Sequence, residues 1–392
     1  MKNRLKTIVL TAAAALGLCG CGRMLDTEYV VETSYAPVLS AADPVRVDTT
    51  VASLEDLKQV LLDMVAEGTV IRGLLFDPAY AGDVNADLAS ACWQVRTQDA
   101  LCAYCVENIA YDVSKIVNRY EALISVAYSK TAADRERIVP LPYVADAGEL
   151  LRQAIRDGQD TLVLLIEHSS HTAEDMVDFT REVYREQPGL APREPAVTVE
   201  ITSGAETQRL YEIHLDYGLD PAEFAARQGA LDAFDLLQGV DPVPLTEAER
   251  ALFALCALTV RCRGTDDPAA GSIYDALIGC EADSRGMALA YVELCRRLGL
   301  SCQLVEGQHN RAEHCWTIVQ IDGEYYHVDP QVCDASGLAS GFLLSDEVAW
   351  GAWRWDYFAY PHCVGELNAA ALSYSGTAGG GKQNLPENEI TP

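Results

Sequence analysis

The stretch from Gly279 to Pro330 constrains the chain most, because its hydrophobic period changes from helical to alternating within one short span. Asp283-Ser284-Arg285-Gly286-Met287-Ala288 opens with small and polar residues and runs into a helix on which Tyr291, Leu294 and Leu298 share a face. Gly299 is the stop such a helix needs. Cys302 to Gly307, His314 to Ile321 and Glu324 to Val328 then read as strands, and Asp322-Gly323 is a two-residue hairpin signal between the last two. His314 opens one strand and Asp329 ends the next, so a tight hairpin brings them side by side. A helix N-terminus, a histidine and an aspartate meeting at one place is the layout of a nucleophile, its base and the group that orients the base.

His314-Cys315-Trp316, Val319, Asp322-Gly323-Glu324-Tyr325-Tyr326 and Asp329, with Gly286, Ala288 and Ala290 on the preceding helix, resemble the transglutaminase-like superfamily, a papain-related fold. The resemblance covers about the last third of the chain. It implies a papain-like domain acting on peptide or amide bonds through a Cys–His–Asp triad, with His314 and Asp329 as two of its members. At the position aligned with the nucleophilic cysteine this chain has Ser284. Gly286 and Ala288 on one side and Cys295-Arg296-Arg297-Leu298-Gly299 at the helix end fix that register. Cys280 lies one helical turn earlier and aligns only with an insertion. A thiol beside histidine is stored as a thiolate. A serine hydroxyl is not; it needs His314 to take its proton during attack, and an oxyanion hole built for the purpose. The expectation is therefore a non-catalytic domain that binds a peptide or protein, or acts as a scaffold. The alternative is an active hydrolase or acyltransferase using Ser284, or Cys280, with His314 and Asp329.

At the other end, Lys2, Arg4 and Lys6 precede a short apolar run from Thr7 to Leu18, too short to span a bilayer. Leu18-Cys19-Gly20-Cys21 resembles a bacterial lipobox, so residues 1–20 are expected to be a lipoprotein signal peptide and Cys21 the lipidated first residue. The mature chain would then be tethered to the outer face of a cell membrane without a span of its own. Residues 21–48 read as an extended linker.

The net charge of −29 argues against nucleic acid as a partner, and removing Lys2, Arg4 and Lys6 makes it more negative still. Thirteen cysteines are present, and Cys102-Ala103-Tyr104-Cys105 has C-x-x-C spacing without a second pair to complete a zinc site. Scattered cysteines in helical patterns, such as Cys92, Cys256 and Cys295, read as small buried hydrophobes. With no HExxH, no metal and no cofactor are expected.

The fold class expected is α+β: two tandem α+β modules, then the transglutaminase-like domain. Residues 49–130 and 145–219 each read as helix, strand, helix, strand, strand. The first helices (Leu57, Leu61, Met64; Leu151, Ala154, Ile155) are capped by Ser53 and Asp146 and run to Gly68 and Gly158. Tyr211, Ile213, Leu215 and Tyr217 alternate with a period of two, as in a half-buried strand. His168 and His171 follow a strand end and read as solvated loop residues. The third domain is expected over 240–365, opening at the capping box Thr246-Glu247-Ala248-Glu249. In it, Trp350, Trp353, Trp355, Tyr357, Phe358 and Tyr360 are expected to close the core rather than form a stacking platform. Residues 366–392, with Gly379-Gly380-Gly381, read as a disordered tail.

Overall fold

Each of the first two sheets packs with a pair of helices, and in the first sheet both carry side-chain caps. The Ser53 hydroxyl accepts from the amide of Asp56 and starts α1 (Leu54–Ala66), whose face of Leu57, Leu61 and Met64 is fully buried. Gly68 follows at φ +70°, a left-handed turn natural to glycine. The chain is a computed structural model that describes residues 47–236 and 245–367. The expected signal peptide, Cys21, almost all of the linker and the glycine-rich tail lie outside the described residues.

The first sheet is made of β1 (Val47–Val51), β2 (Ile71–Phe76), β3 (Val106–Ile116) and β4 (Arg119–Tyr128) in the order β1-β2-β4-β3. Between β2 and β3 come α2 (Val84–Gln98) and the short α3 (Ala100–Cys105). After α4 (Ala132–Glu136), the second sheet repeats the pattern. Its strands are β5 (Ile138–Tyr143), β6 (Thr161–His168), β7 (Ala196–Ser203) and β8 (Arg209–Asp216), in the order β5-β6-β8-β7. Its helices are α5 (Gly148–Arg156) and α6 (Ala173–Glu186). In both sheets the first two strands are parallel and the other pairings antiparallel. A tyrosine at the end of the last strand then reaches the end of the first helix. Tyr128 donates to the Met64 carbonyl at 3.0 Å and Tyr217 to that of Ile155 at 3.5 Å.

Several elements depart from the sequence expectation. Each sheet gains a leading edge strand, β1 and β5. β5 contains Pro140 and Pro142, which an edge strand accepts because the missing N–H is not needed there. Asp146 does not cap α5 from the expected position. It sits in a 3₁₀ turn one residue before Ala147 and accepts from the Tyr143 amide at 3.3 Å. Cys102 and Cys105 lie on α3, both buried. Cys92 and Cys295 are buried, but Cys256 is exposed. A further helix, α7 (Pro221–Ala233), fills a stretch left unassigned. Asp220 caps it and Pro221 begins it.

The remaining elements are α8 (Glu247–Arg261), the two-residue strands β9 (Arg263–Gly264) and β10 (Glu281–Ala282), and α9 (Ser284–Arg297). Then come β11 (Cys302–His309), β12 (Ala312–Ile321), β13 (Glu324–Val328), α10 (Pro330–Ser336), β14 (Phe342–Leu344), α11 (Asp346–Ala349) and β15 (Trp353–Trp355). The third sheet is antiparallel throughout, in the order β14-β13-β12-β11-β15. Every residue of α9 from Gly286 to Cys295 is buried, so this helix lies inside the domain with no solvent face along that run.

One continuous hydrophobic core runs through the second sheet and the C-terminal part, from Leu151, Leu164 and Tyr211 to Leu255, Leu289, Tyr291 and Val319. The first sheet has its own core around Leu57, Leu74 and Ile124. It joins the second sheet where Ala100 packs with Val163, Leu165 and Leu210, and where the Ala100 amide donates to Gln208 Oε1 at 2.8 Å. The aromatic run near the end of the domain divides. Trp353 is buried in a small core with Val305, Trp316 and Ile318, while Trp350 and Phe358 are exposed.

Candidate functional site

The N-terminus of α9 is held by its cap. Asp283 accepts from the Gly286 amide at 2.9 Å and donates its own amide to the Ala270 carbonyl at 3.0 Å. A methyl group on Gly286 would stand 2.9 Å from the carbonyls of Ala270 and Ser272, so only glycine lets the helix start come this close to the loop. Ser284 is the first helical residue. Its Oγ accepts from the Cys315 amide at 3.1 Å, which fastens the helix start to β12.

The hairpin places the other two residues as expected from its turn. Thr317 faces Val328 in the β12–β13 ladder, which sets His314 and Asp329 just beyond the pairing. His314 Nε2 lies 2.7 Å from Asp329 Oδ2. Asp329 is buried, and its Oδ2 also accepts from the Trp353 indole at 2.9 Å while Oδ1 accepts from the Val332 amide at 3.0 Å and caps α10. A carboxylate only accepts, so Nε2 of the neutral imidazole carries the proton and Nδ1 the lone pair. The His309 ring stacks on Trp353 at 4.5 Å and lies 5.2 Å from the His314 ring.

Ser284, His314 and Asp329 therefore converge, but the contacts run from Ser284 to the Cys315 amide and from His314 to Asp329. Among the described residues no hydrogen bond joins the Ser284 hydroxyl to the His314 ring. Cys280 is placed elsewhere. It ends a π-helical turn in a left-handed conformation, φ 62°, with its thiol 3.5 Å from the Ile278 carbonyl, beside the β9–β10 pairing. Cys315, next to His314, is a thiol beside the site that the sequence reading did not single out. Burial pushes it up to about 11, against the pull of Arg285, whose Nη1 lies 3.8 Å away. At that value it is an un-ionised thiol at neutral pH.

A charged network flanks the helix start. Arg285 bonds Glu306 on β11 and Glu194 from the second sheet's loop, and Arg185 of α6 closes the ring with Glu194 at 3.1 Å and Glu306 at 3.0 Å. Glu306 is held below the usual carboxylate range by these two arginines, against the opposing effect of burial.

Two further clusters lie apart from this site. His327, Asp346 and Cys363 bring potential metal-ligand atoms within 4.8 Å of one another. The Trp316 indole donates to His327 Nδ1 at 2.9 Å, and indole N–H is a donor only. The neutral ring must then carry its proton on Nε2, which meets Asp346 Oδ1 at 2.9 Å. The one nitrogen facing the cluster is thus a donor, so these residues form a hydrogen-bond relay and do not fit a metal. His168 and His171 do not meet each other. His168 Nδ1 lies 3.5 Å from Thr207 Oγ1, and His171 Nδ1 lies 3.5 Å from Ser169 Oγ.

No curated protein matches the chain. Among solved structures, the chain is similar to a TGase at 10% identity with a TM-score of 0.25, over 53% of this chain and 60% of that one. The chain thus spans less than two thirds of that TGase. It is similar to the periplasmic domain of TgpA from Pseudomonas aeruginosa at 14% identity and a TM-score of 0.20, over 38% of this chain and 71% of that one. A third likeness is to a putative cysteine protease from Cytophaga hutchinsonii, at 11% identity and a TM-score of 0.18, over 36% and 69% of the two chains. Residues 235–330 match the family model of the transglutaminase-like superfamily. The α+β chain therefore carries a transglutaminase-like domain near its C-terminus.

Proposed function

We propose that this protein is a lipid-anchored, extracytoplasmic lipoprotein whose transglutaminase-like domain is non-catalytic and binds a peptide or a peptide segment of a partner protein. The observation that carries this reading is Ser284. It stands where the family resemblance puts a cysteine, and its oxygen already receives the Cys315 amide at 3.1 Å instead of addressing His314. An N–H pointed at a hydroxyl oxygen draws electron density from the atom that would attack. The His314–Asp329 pair persists as a part-buried polar contact. Cys21 would supply the membrane tether, to be checked by acyl labelling of the native chain and of Cys21→Ala.

The second reading, an active hydrolase or acyltransferase on peptide or amide bonds, is favoured by one feature. His314 has an Nδ1 lone pair that no group among the described residues claims, on a ring oriented through Asp329, which is what a general base requires. Labelling the mature chain with serine-directed and thiol-directed acyl-transfer probes separates the two. Reaction lost in both Ser284→Ala and His314→Ala would establish a serine enzyme, and loss in Cys280→Ala would move the nucleophile to Cys280. Reaction no greater than that of the denatured protein supports a binding domain.

A further inference from the structure

The charged network beside Ser284 borders an open cleft of about 710 Å³ that no step above uses. One wall comes from the second sheet's module, with Arg181, Arg185, Arg193 and Glu194. The other comes from the C-terminal domain, with Asp283, Arg285 and Glu306. Its size falls in the range of pockets that hold small ligands. The charge within it is unlike that of the chain. A protein of net charge −29 sets four arginines against three carboxylates here.

Those carboxylates are already engaged. Glu194 and Glu306 are each held by both Arg185 and Arg285, and Asp283 caps α9. Among the described residues Arg181 pairs with Asp178 alone, at 3.9 Å with both side chains exposed, a weak pairing. Arg193 has no carboxylate partner among the described residues, although it is half-buried in the wall. Two arginines locked in a frame and two left to bind is an arrangement that offers a planar, bidentate site to a carboxylate. Against a net charge of −29, an excess of arginine in one cleft makes it a local attractor for an anion.

We propose that this cleft is the peptide-docking site of the protein and that it recognises a carboxylate of the bound peptide through Arg193, with Arg181 at its outer edge. The inference rests on the peptide-binding reading above and adds the chemistry of the ligand. The carboxylate belongs either to a peptide C-terminus or to an acidic side chain, and the same contacts serve both.

The test is fluorescence anisotropy with the full mature chain and three labelled tetrapeptides: tetra-alanine as the free acid, tetra-alanine as the C-terminal amide, and Ala-Ala-Glu-Ala as the amide. Binding of the free acid alone identifies a C-terminal carboxylate, and binding of the glutamate amide identifies a side-chain carboxylate. In either case Arg193→Gln should weaken binding roughly ten-fold or more, the scale of a lost charge-assisted pair. Arg181→Gln should weaken it less, both with an unchanged melting temperature. Equal binding of all three peptides, or affinity indifferent to Arg193→Gln, would overturn the cleft assignment while leaving the non-catalytic reading intact. Absence of binding by every peptide overturns it as well. A Ser284 adduct with the acyl-transfer probes would instead overturn the non-catalytic reading and leave the cleft to be judged on the anisotropy alone.

Discussion

The amide of Cys315 donates to the hydroxyl oxygen of Ser284 across 3.1 Å, joining the first residue of α9 to the strand that carries His314. An amide donor and a helix N-terminus both favour an anion at that oxygen's place. Ser284→Cys would put a thiol there. Its alkylation by iodoacetamide at neutral pH should outpace that of the buried native thiols by about ten-fold or more, because those conditions favour thiolate. The double variant Ser284→Cys/His314→Ala should lose the advantage. Equal rates in the two variants would show that His314 does not address position 284.

Asp329 joins three donors for which the described residues show no other partner: His314 Nε2, the Trp353 indole and the Val332 amide. Asp329→Ala orphans all three and should lower stability by about 3–5 kcal/mol, the scale of breaking a buried network by removing one partner. Asp329→Asn keeps one acceptor oxygen and should lose less. Urea denaturation of the three proteins checks the order, and a loss below about 1 kcal/mol for the alanine variant would mean the network contributes little.

Gly286→Ala sets two effects against each other. Alanine improves helix propensity by about 1 kcal/mol. The added methyl would meet the Ala270 and Ser272 carbonyls at 2.9 Å, backbone that must shift, at about 1–3 kcal/mol. Net destabilisation is expected, read as a lower denaturation midpoint together with loosening of the helix start at Ser284. A stabilised variant would show that the loop yields freely.

His327 gives the protein a specific sensitivity to mild acid. Burial holds its folded value below the ordinary 6.5, only partly offset by Asp346. The Trp316 indole aimed at Nδ1 opposes protonation further, since two donors would then face each other. Below pH 6.5 the unfolded chain binds a proton that the folded chain refuses. The resulting stability is complete above that pH and declines as pH falls through the window down to the folded value. The melting temperature should drop between pH 7.5 and pH 5.5, roughly one unit either side of the ordinary value, and the drop should be smaller in His327→Gln. His309 is also lowered by burial and by His314 and moves the same way, so the comparison with the variant isolates His327.

The sequence carries the His–Asp pair because a two-residue Asp322-Gly323 turn fixes the register of β12 on β13, and register fixes which side chains meet. It carries α9 for the same kind of reason, an aspartate cap and a terminal glycine. The cleft arginines were hidden by distance. Arg185 and Glu306 are 121 positions apart, and no local period marks such a pairing. The edge strand β5 was hidden by Pro140 and Pro142, which argue against a strand unless the strand is known to be an edge.

The core that runs unbroken from Leu164 to Val319 also sets how this protein can be divided. A fragment cut between the second sheet and α8 would leave apolar faces of both halves in water, so the C-terminal domain is not a portable part. The placement of Ser284 is an inheritance of the whole assembly. Damage to α6 or β8, far from Ser284 in sequence, should reach the site as surely as damage beside it.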